Sequence, residues 1–503
     1  MSKIKSFFAA CFKSRPVLKK SILLFLLGLL GAFSFAPYYI IPCVGVAFWA
    51  LMSFIITAEN KKQIALFSFS VGLGLGMSSL GWICNALLVD EGAFRVFIPI
   101  ALLGLGIFFG LFFMLPALCT VWFKNPISKW LAFASFFVFF EWIRSWFLTG
   151  FPWNLIGNIW TFFPPFLQTA SLVGVYGLSL LSILLFTSLA LLPQKRWFII
   201  VGTVFCFCTF AGFMRLYDTP KEMVWGVKLR LVQPNIKQSL KWNPQKAQEN
   251  YETLITLSRQ NNKDITHVIW PESALPFYPD IDEVSKARLM EAIRQGGTLL
   301  TGGLRVVNLK KRQLANSLFV FDDLSDIKGY YDKSHLVPFG EYVPFRDVLK
   351  IDKIVPIPSD FVKGSGVRTM YIPKAPPVSP LVCYEVIFPS KVADKKKRPE
   401  WLLNITNDAW YGLSAGPYQH LSIAQMRAVE EGLPLVRATN NGVSAVINPY
   451  GEIIASLDLG EQGVLDTALP RAEKKTFYAS FGNKIPLVLV GFILLLAIFR
   501  NKR

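Results

Sequence analysis

Histidine is scarce in this chain of 503 residues, which contains three histidines, and acidic residues are few, 33 against 52 Lys and Arg. The polar half that follows Met214 contains one cysteine, Cys383, and therefore cannot form an internal disulfide in any compartment. With three histidines, a Cys–His catalytic pair is possible but has few candidate partners. Cys206 and Cys208 have no histidine or acid nearby, so we interpret them as helix-packing residues and predict no metal site. Repeats and low-complexity tracts are absent.

The chain is rich in apolar residues, with 53% hydrophobic and 15% aromatic residues and a mean hydropathy of +0.42. This composition predicts a membrane protein with an appended domain. Long apolar stretches indicate about eight transmembrane helices. They cover roughly residues Ser21–Phe35, Ile40–Thr57, Ile64–Val89, Val96–Phe123, Leu131–Thr149, Phe166–Leu192, Trp197–Met214 and Ile485–Phe499. The first could be a secretory signal, but no small-residue cleavage site follows, so we predict a retained helix.

The distribution of charge predicts the orientation of these helices. The N-terminus, alternate connections and the C-terminal tail together carry fifteen basic residues against the single acid Glu59, and the intervening loops are nearly uncharged. By the positive-inside rule, both termini are cytoplasmic and the block between Met214 and Ile485 lies outside. Most of the +19 net charge is then explained by topology, which disfavours the rival hypothesis of a nucleic-acid-binding protein.

The outer block alternates short β-like runs with helical ones, which predicts a layered α/β domain large enough to bury its own core. The domain prediction is a membrane domain at 1–215 with seven helices, an α/β domain at 220–480, and a last helix with a cytoplasmic tail at 484–503. Strands are expected at Val227–Gln233, His267–Trp270, Thr298–Val306, Ser317–Phe321, Pro380–Val382, Trp401–Ile405, Leu435–Thr439 and Ser444–Asn448, and helices at Pro244–Gln260, Ile281–Arg294 and His420–Glu431.

Three stretches of the outer block contain residues suited to acyl-transfer chemistry. The run Pro380–Val382 ends at Cys383, as a strand does when it places a thiol at the mouth of a site. A buried carboxylate can replace imidazole as the base, and Glu272 lies in the rigid setting Trp-Pro-Glu-Ser. Lys333, in a long unusual loop, could stabilise an oxyanion. Taken singly, these residues are more often a core cysteine, a surface acid and a solvated lysine.

The order and settings of the three residues change that interpretation. Trp-Pro-Glu272, Tyr-Asp-Lys333 and Cys383-Tyr-Glu resemble the nitrilase, or carbon–nitrogen hydrolase, superfamily. The run Tyr331–Pro344, the Asn407-Asp-Ala-Trp-Tyr-Gly412 stretch and the multi-span N-terminus resemble its membrane-bound branch, the apolipoprotein N-acyltransferase family. The resemblance extends over nearly the whole chain. It implies an α-β-β-α sandwich domain next to the helical membrane domain, with no metal or cofactor.

The resemblance also implies residue roles and partners. Glu272 is expected to be the base, Lys333 the oxyanion-stabilising residue and Cys383 the nucleophile that carries a thioester. The expected donor is a phospholipid, typically phosphatidylethanolamine, and the acceptor the α-amino group of a diacylglyceryl apolipoprotein, in the bacterial inner membrane with the catalytic domain in the periplasm. Glu341 is expected to support the charges around Lys333, and further residues are expected to line the site or contact lipid. These are Tyr384 and Glu385 beside the nucleophile, and Phe339, Trp242 and Trp153 as substrate contacts.

Two other hypotheses remain open at the level of sequence. A membrane-tethered amidase or nitrilase acting on a soluble amide would use the same three residues but would not need eight spans. A transporter or lipid-binding protein with an inactive outer domain is disfavoured, because the predicted spans show neither paired broken helices nor the buried charges of carriers, apart from Glu141 and Arg144.

Overall fold

The computed structural model describes residues 16–89, 94–217, 219, 222–241, 243–261, 263–344 and 360–502. These residues form two compact units. The first consists of the described residues within Met1–Cys84, Val96–Phe213 and Asn483–Arg503, and the second of those within Asn85–Arg95 and Met214–Gly482. The first unit is helical and the second is an α/β domain.

Eight apolar helices make up the first unit within the described residues. Seven are long and apolar enough to cross a membrane, and the eighth, Pro42–Thr57, has 16 residues. In chain order they are α1 (Pro16–Gly31), α2 (Pro42–Thr57), α3 (Lys61–Leu80), α4 (Ile98–Leu118), α5 (Pro126–Arg144), α6 (Ala170–Ser188), α7 (Arg196–Tyr217) and α10 (Lys484–Asn501), where α8 and α9 belong to the second unit. The predicted membrane domain is confirmed, because each predicted span overlaps one of these helices.

Glycine allows the first and third of these helices to approach closely. A Cβ atom added at Gly28 of α1 would lie 2.2 Å from the carbonyl oxygen of Val71, and one added at Gly74 of α3 would lie 2.2 Å from that of Phe25. Both positions are therefore restricted to glycine. Small residues at helix contacts are typical of membrane bundles, where backbone-to-backbone packing replaces a hydrophobic driving force.

The second unit contains two β-sheets that face each other. The six-stranded sheet has the order β11-β1-β2-β3-β4-β5 and the five-stranded sheet the order β10-β9-β8-β7-β6. Their strands are β1 (Met223–Gln233), β2 (His267–Ile269), β3 (Thr298–Asn308), β4 (Gln313–Asp322), β5 (Ile327–Asp332), β6 (Val378–Val382), β7 (Trp401–Thr406), β8 (Leu435–Thr439), β9 (Ser444–Ile447), β10 (Ile453–Leu457) and β11 (Gly463–Pro470). Strands β1, β2 and β3 are parallel, as are β6, β7 and β8.

Helices cover the outer faces of both sheets. Helix α8 (Pro244–Arg259) places Leu254 and Ile255 against Val268, Trp270 and Leu299 of the six-stranded sheet. Helix α9 (Ala415–Glu431) contacts β8 of the five-stranded sheet. The predicted α-β-β-α sandwich is thereby confirmed. The predicted helix Ile281–Arg294 is wrong in extent, since the structure has a short helix at Glu283–Ala287 and a 3₁₀ turn at Arg288–Ala292.

Candidate active site

Cys383 directly follows β6, at the carboxyl end of the parallel strands of the five-stranded sheet. All five residues of β6 are buried, and Cys383 begins a 3₁₀ turn that extends to Ile387. Its φ angle is +54°, in the left-handed region that non-glycine residues seldom adopt. Such strain is typical of functional positions.

Glu272 comes from the facing sheet, three residues beyond the end of β2. It is 6% exposed, and three donors contact its carboxylate. Oε1 accepts a hydrogen bond of 2.8 Å from Asn316 Nδ2 and lies 3.5 Å from Lys333 Nζ, and Oε2 accepts one of 2.9 Å from the backbone amide of Asn407. These contacts fix the plane of the carboxylate at a junction of the two sheets.

Lys333 follows β5 and is 1% exposed. Its ammonium donates a 3.0 Å hydrogen bond to Glu341 Oε1, in addition to its 3.5 Å contact with Glu272. Burial by itself would lower the pKa of Lys333, but the negative charges of Glu341 and Glu272 outweigh burial and raise that pKa above its usual value. Lys333 is therefore a fixed positive charge at physiological pH.

The thiol of Cys383 lies in the field of these charges. Burial, followed by the negative charge of Glu272, raises the pKa of Cys383 from 9.0 to about 12, against the opposing charge of Lys333 and a hydrogen bond with Thr406. At neutral pH the Cys383 thiol is therefore protonated and Lys333 is an ammonium group, with the Glu272 carboxyl group near both. This set can remove the thiol proton when a substrate is in place and can stabilise the oxyanion that then forms.

Glu385 holds the loop that follows Lys333 against the turn that begins at Cys383. Its Oε1 accepts hydrogen bonds from the Ser334 amide (2.7 Å), the Ser334 hydroxyl (2.7 Å), the His335 amide (3.1 Å) and the Tyr331 hydroxyl (2.9 Å), and its Oε2 from the Val382 amide (2.8 Å). Burial raises the pKa of Glu385, although these donors oppose the shift. Glu385 is 2% exposed, so the pairing with a surface cation that an isolated glutamate would make is excluded.

Glu341 links the same loop to Lys333 through hydrogen bonds. Its Oε1 accepts from Lys333 and, over 3.0 Å, from Asn316 Nδ2, and its Oε2 accepts a 2.8 Å hydrogen bond from the backbone amide of Val337. The loop that contains the predicted motif is thus fixed at both ends by buried carboxylates, Glu385 and Glu341.

The residues predicted to contact substrate occupy different environments. Phe339 is 44% exposed and has a φ of +63°, whereas Tyr384 is buried and packs against Phe388 with a ring-centroid distance of 5.2 Å. Trp153 lies in the helical unit and is 1% exposed, in contact with Trp82 at 5.0 Å between ring centroids. Trp242 lies outside the described residues. Their contact with substrate stays a prediction.

Sequence reasoning missed a buried polar network next to Cys383. Asp408 lies 2.5 Å from Arg437 and 3.0 Å from Nδ1 of His420, and all three side chains are buried. Arg437 also donates to Asn404, whose Nδ2 donates to the carbonyl oxygen of Cys383 over 3.3 Å. Asp408 lies within the Asn-Asp-Ala-Trp motif, which could have identified it as a site residue. Asn404, His420 and Arg437 lie outside the motifs found in the sequence.

A second missed residue is Lys241, whose Nζ donates a 2.8 Å hydrogen bond to the carbonyl oxygen of Glu272. Burial lowers the pKa of Lys241 to about 8, against the opposing charges of Glu272 and Cys383. Lys241 therefore supports the backbone of the proposed base. Within the described part of the chain, no group of three or more His, Cys, Asp or Glu side chains is placed to hold a metal ion.

Comparison with known proteins covers both units. The model of the carbon–nitrogen hydrolase family matches residues 228–477, and that of the apolipoprotein N-acyltransferase N-terminal domain matches residues 27–189. An amidase from Nesterenkonia sp., a solved structure, is 19% identical with a TM-score of 0.37, over 49% of this chain and 92% of that chain.

Two curated relatives match over at least 95% of both chains. Apolipoprotein N-acyltransferase of Bradyrhizobium diazoefficiens is 37% identical over 514 residues, which cover 96% of this chain and 95% of the relative. The protein of the same name from Rickettsia prowazekii is 36% identical over 498 residues, 95% of this chain and 98% of the relative. The identity, its extent and the order of the two matched domains show that this multi-pass membrane protein belongs to the apolipoprotein N-acyltransferase family, a branch of the carbon–nitrogen hydrolase superfamily.

Proposed function

We propose that this enzyme transfers an acyl chain from a membrane phospholipid to the α-amino group of the N-terminal S-diacylglyceryl cysteine of an apolipoprotein. The observation that carries the proposal is the buried cluster of Cys383, Glu272 and Lys333 in a member of this family. The thiol, the carboxylate and the ammonium group supply the nucleophile, the base and the oxyanion-stabilising charge that acyl transfer needs.

In the first half-reaction, Glu272 takes the proton of the Cys383 thiol while the sulfur attacks the ester carbonyl carbon of the phospholipid. The carbonyl oxygen acquires the negative charge, which the Lys333 ammonium stabilises. When this intermediate collapses, the bond from carbon to the glycerol oxygen breaks, and the proton held by Glu272 passes to that oxygen. The products are a lysophospholipid and an acyl thioester on Cys383, and Glu272 is again a carboxylate.

In the second half-reaction, the free α-amino group of the apolipoprotein attacks the thioester carbonyl carbon. Glu272 accepts a proton from the attacking nitrogen and returns one to the departing sulfur, so the products are an amide and a neutral thiol. A thioester is suited to this role, because it stores the acyl group while one lipid leaves and the other enters. The raised pKa of Cys383 fits the scheme, since the resting thiol needs the base in order to react.

The charge distribution supports a location in the bacterial inner membrane with both termini cytoplasmic and the α/β domain in the periplasm. Lys61, Lys62, Lys124 and Arg196 lie at helix ends or connections that the positive-inside rule places in the cytoplasm. Both proposed substrates are held in a bilayer by their acyl chains, so a membrane-bound enzyme meets them at high local concentration. Phosphatidylethanolamine is the proposed donor.

Intact-mass spectrometry of the purified protein after incubation with phospholipid tests the proposal. The wild type is expected to gain the mass of one acyl chain, which hydroxylamine removes, and Cys383→Ala to gain none. Cys206→Ala is the matched control, because Cys206 is an exposed thiol of α7 and should leave the adduct unchanged. Hydrolysis of soluble amides without any lipid adduct would favour the amidase hypothesis instead, and an adduct that persists in Cys383→Ala would refute Cys383 as the acylated residue.

A further inference from the structure

A groove with a volume of about 580 Å³ runs along the outer surface of the helical unit. Its floor is formed by residues of α5 and α6, including Trp130 and Leu184, and its sides by residues of α7 and α10, including Val201 and Leu496. The volume lies within the range of roughly 300–1,000 Å³ that is usual for pockets that bind small ligands. The lining is apolar except at one end.

Two buried hydrogen-bond donors without a partner lie at that end. Within the described residues, neither Nε1 of Trp197 nor Nε of Arg500 has a hydrogen-bond partner, although both atoms are buried. Arg500 lies over the Trp197 ring at 5.2 Å from its centroid, so the two donors belong to one cluster. In contrast, Nε1 of Trp130 in the same groove donates to the Leu184 carbonyl oxygen over 3.3 Å. Buried donors are rarely left unpaired, which indicates an acceptor supplied by a ligand.

The charge around this end is positive. Arg196 lies over the Trp197 ring at 5.4 Å from its centroid, and Lys195 directly precedes Arg196 in the chain. No acidic residue is present among the residues that line the groove. An anion is therefore complementary to this end, and the neighbouring apolar surface requires that the same molecule have a hydrocarbon part.

We propose that the groove is a binding site for an anionic phospholipid. One acyl chain lies in the apolar groove, and the phosphate accepts hydrogen bonds from Nε1 of Trp197 and from the Arg500 guanidinium. Arginine and an indole N–H next to lipid-facing apolar side chains are the groups that recognise lipid phosphates at a membrane interface. The site goes beyond the proposed acyl transfer and uses none of its residues.

The position of the groove along the helices agrees with this assignment. From Trp197 to Val204 on α7 the groove extends about 10 Å at 1.5 Å per residue, and from Ile493 to Arg500 on α10 it extends the same distance. This depth is about a third of the roughly 30 Å hydrocarbon core, so the groove holds the part of a chain nearest its headgroup. On the proposed orientation, Arg196 and Arg500 mark the cytoplasmic leaflet, and the site takes a lipid from that side.

Native mass spectrometry of the full-length protein, stripped of lipid in detergent, tests the site. The probes are phosphatidylglycerol, phosphatidylcholine and a diacylglycerol with the same chains but no phosphate. We expect the wild type to retain one phosphatidylglycerol about tenfold more tightly than the diacylglycerol, as the loss of a charge-assisted hydrogen bond implies. Phosphatidylcholine should also be retained less tightly than phosphatidylglycerol, because its choline cation is repelled by the positive charges of Arg196 and Arg500. Equal retention of all three lipids would mean nonspecific surface lipid and would overturn the proposal.

Variants of Trp197 and Arg500 test whether phosphatidylglycerol binds at these two donors. Trp197→Phe removes the indole N–H and keeps an aromatic ring, and Arg500→Gln removes the charge; each should weaken phosphatidylglycerol binding about tenfold. The matched controls are Trp122→Phe and Lys502→Gln, exposed residues outside the groove lining, which should leave binding unchanged. All four variants should form the Cys383 thioester as the wild type does, which shows that they are folded. Binding that is the same in all five proteins would refute the site, whatever the thioester assay shows.

Discussion

The Lys333 ammonium donates a 3.0 Å hydrogen bond to Oε1 of Glu341, which is shorter than its 3.5 Å contact with Glu272. The nearer carboxylate therefore provides most of the balancing charge for Lys333. As a result, the Glu272 carboxylate is left available to receive a proton from the thiol. In the proposed mechanism, Glu341 therefore has a structural role and Glu272 a chemical one.

Replacement of Glu341 by Gln should consequently slow thioester formation without stopping it. The loss of one hydrogen bond to a charged group costs about 1.5–3 kcal/mol, which corresponds to a rate reduction of about ten- to a hundredfold. Single-turnover release of lysophospholipid measures this rate. Glu249→Gln is the control, because Glu249 is an exposed acid that pairs with Lys246, and it should leave the rate unchanged. An unchanged rate in Glu341→Gln would contradict the role given to this residue.

Lys333→Ala and Glu272→Gln should each abolish detectable thioester formation while the protein still inserts into the membrane. Loss of one oxyanion-stabilising group costs about 10²–10³-fold in rate, and loss of the base leaves the thiol protonated. Intact-mass measurement of Cys383 acylation, with membrane fractionation to confirm insertion, provides the test. Lys246→Ala, an exposed lysine of α8, is the matched control. Normal acylation in either site variant would refute the assigned roles.

The pH dependence of thiol alkylation should separate the effect of the Glu272 charge on the pKa of Cys383 from the proposed role of Glu272 as the base. Burial comes first among the causes that raise the pKa of Cys383, and the Glu272 charge comes second. Glu272→Gln removes the second cause, so the midpoint of the pH profile for iodoacetamide modification should move to lower pH. Each unit of that shift gives about ten times more thiolate at a given pH below the midpoint.

The same variant should nevertheless be inactive in acyl transfer, because a more acidic thiol does not replace a base that returns the proton to the leaving group. Peptide-level mass spectrometry distinguishes Cys383 from the other cysteines, and Cys383→Ala gives the background. A midpoint that stays unchanged or rises would show that the Glu272 charge does not reach the thiol.

The parts of the fold that could be predicted from sequence are those with long or continuous apolar runs. The membrane helices were predicted from long apolar runs. Strands β6, β7 and β8 were predicted from short runs rich in apolar residues, and all residues of these strands are buried in the structure. Strands β5, β10 and β11 were missed because most of their residues are exposed or half-buried. Their pairing with neighbouring strands is a tertiary effect that local sequence does not encode.

The candidate site likewise consists of residues that sequence motifs located and residues that they did not. Motifs located Glu272, Lys333 and Cys383, because each stands in a characteristic local setting. Asn316 and Lys241 have no such setting, since Asn316 contacts Glu272 from within β4 and Lys241 contacts it from a short helix ahead of α8. Residues that position a site act through contacts between segments distant in the chain, and these contacts exist only once the sandwich has formed.

The buried Asp408–Arg437 pair should make the protein sensitive to acid. Burial would raise the pKa of Asp408, but the charges of Arg437 and His420 outweigh burial and lower it from 3.8 to about 2. A carboxylate whose pKa is lower in the folded state stabilises that state at pH values above the unfolded pKa. The contribution is therefore complete above pH 4 and is lost as the pH falls from about 4 to about 2.

Asp408→Asn should remove this acid dependence and lower stability at neutral pH. Removal of one partner of a buried ion pair costs about 3–5 kcal/mol, because the Arg437 charge is left without compensation. The midpoint of thermal unfolding in detergent, measured between pH 2 and pH 7, gives both effects. Asp264→Asn is the control, because Asp264 is exposed and pairs with exposed Lys228, and its unfolding profile should match that of the wild type.

The same substitution should also impair catalysis, because Arg437 holds Asn404, which in turn donates to the carbonyl oxygen of Cys383. If the network positions the nucleophile, acylation of Asp408→Asn at a temperature well below its unfolding midpoint should be slower than in the wild type while the lipid concentration for half-maximal rate stays the same. A proportionate loss of folded protein, with wild-type acylation per folded molecule, would show instead that Asp408 serves stability alone.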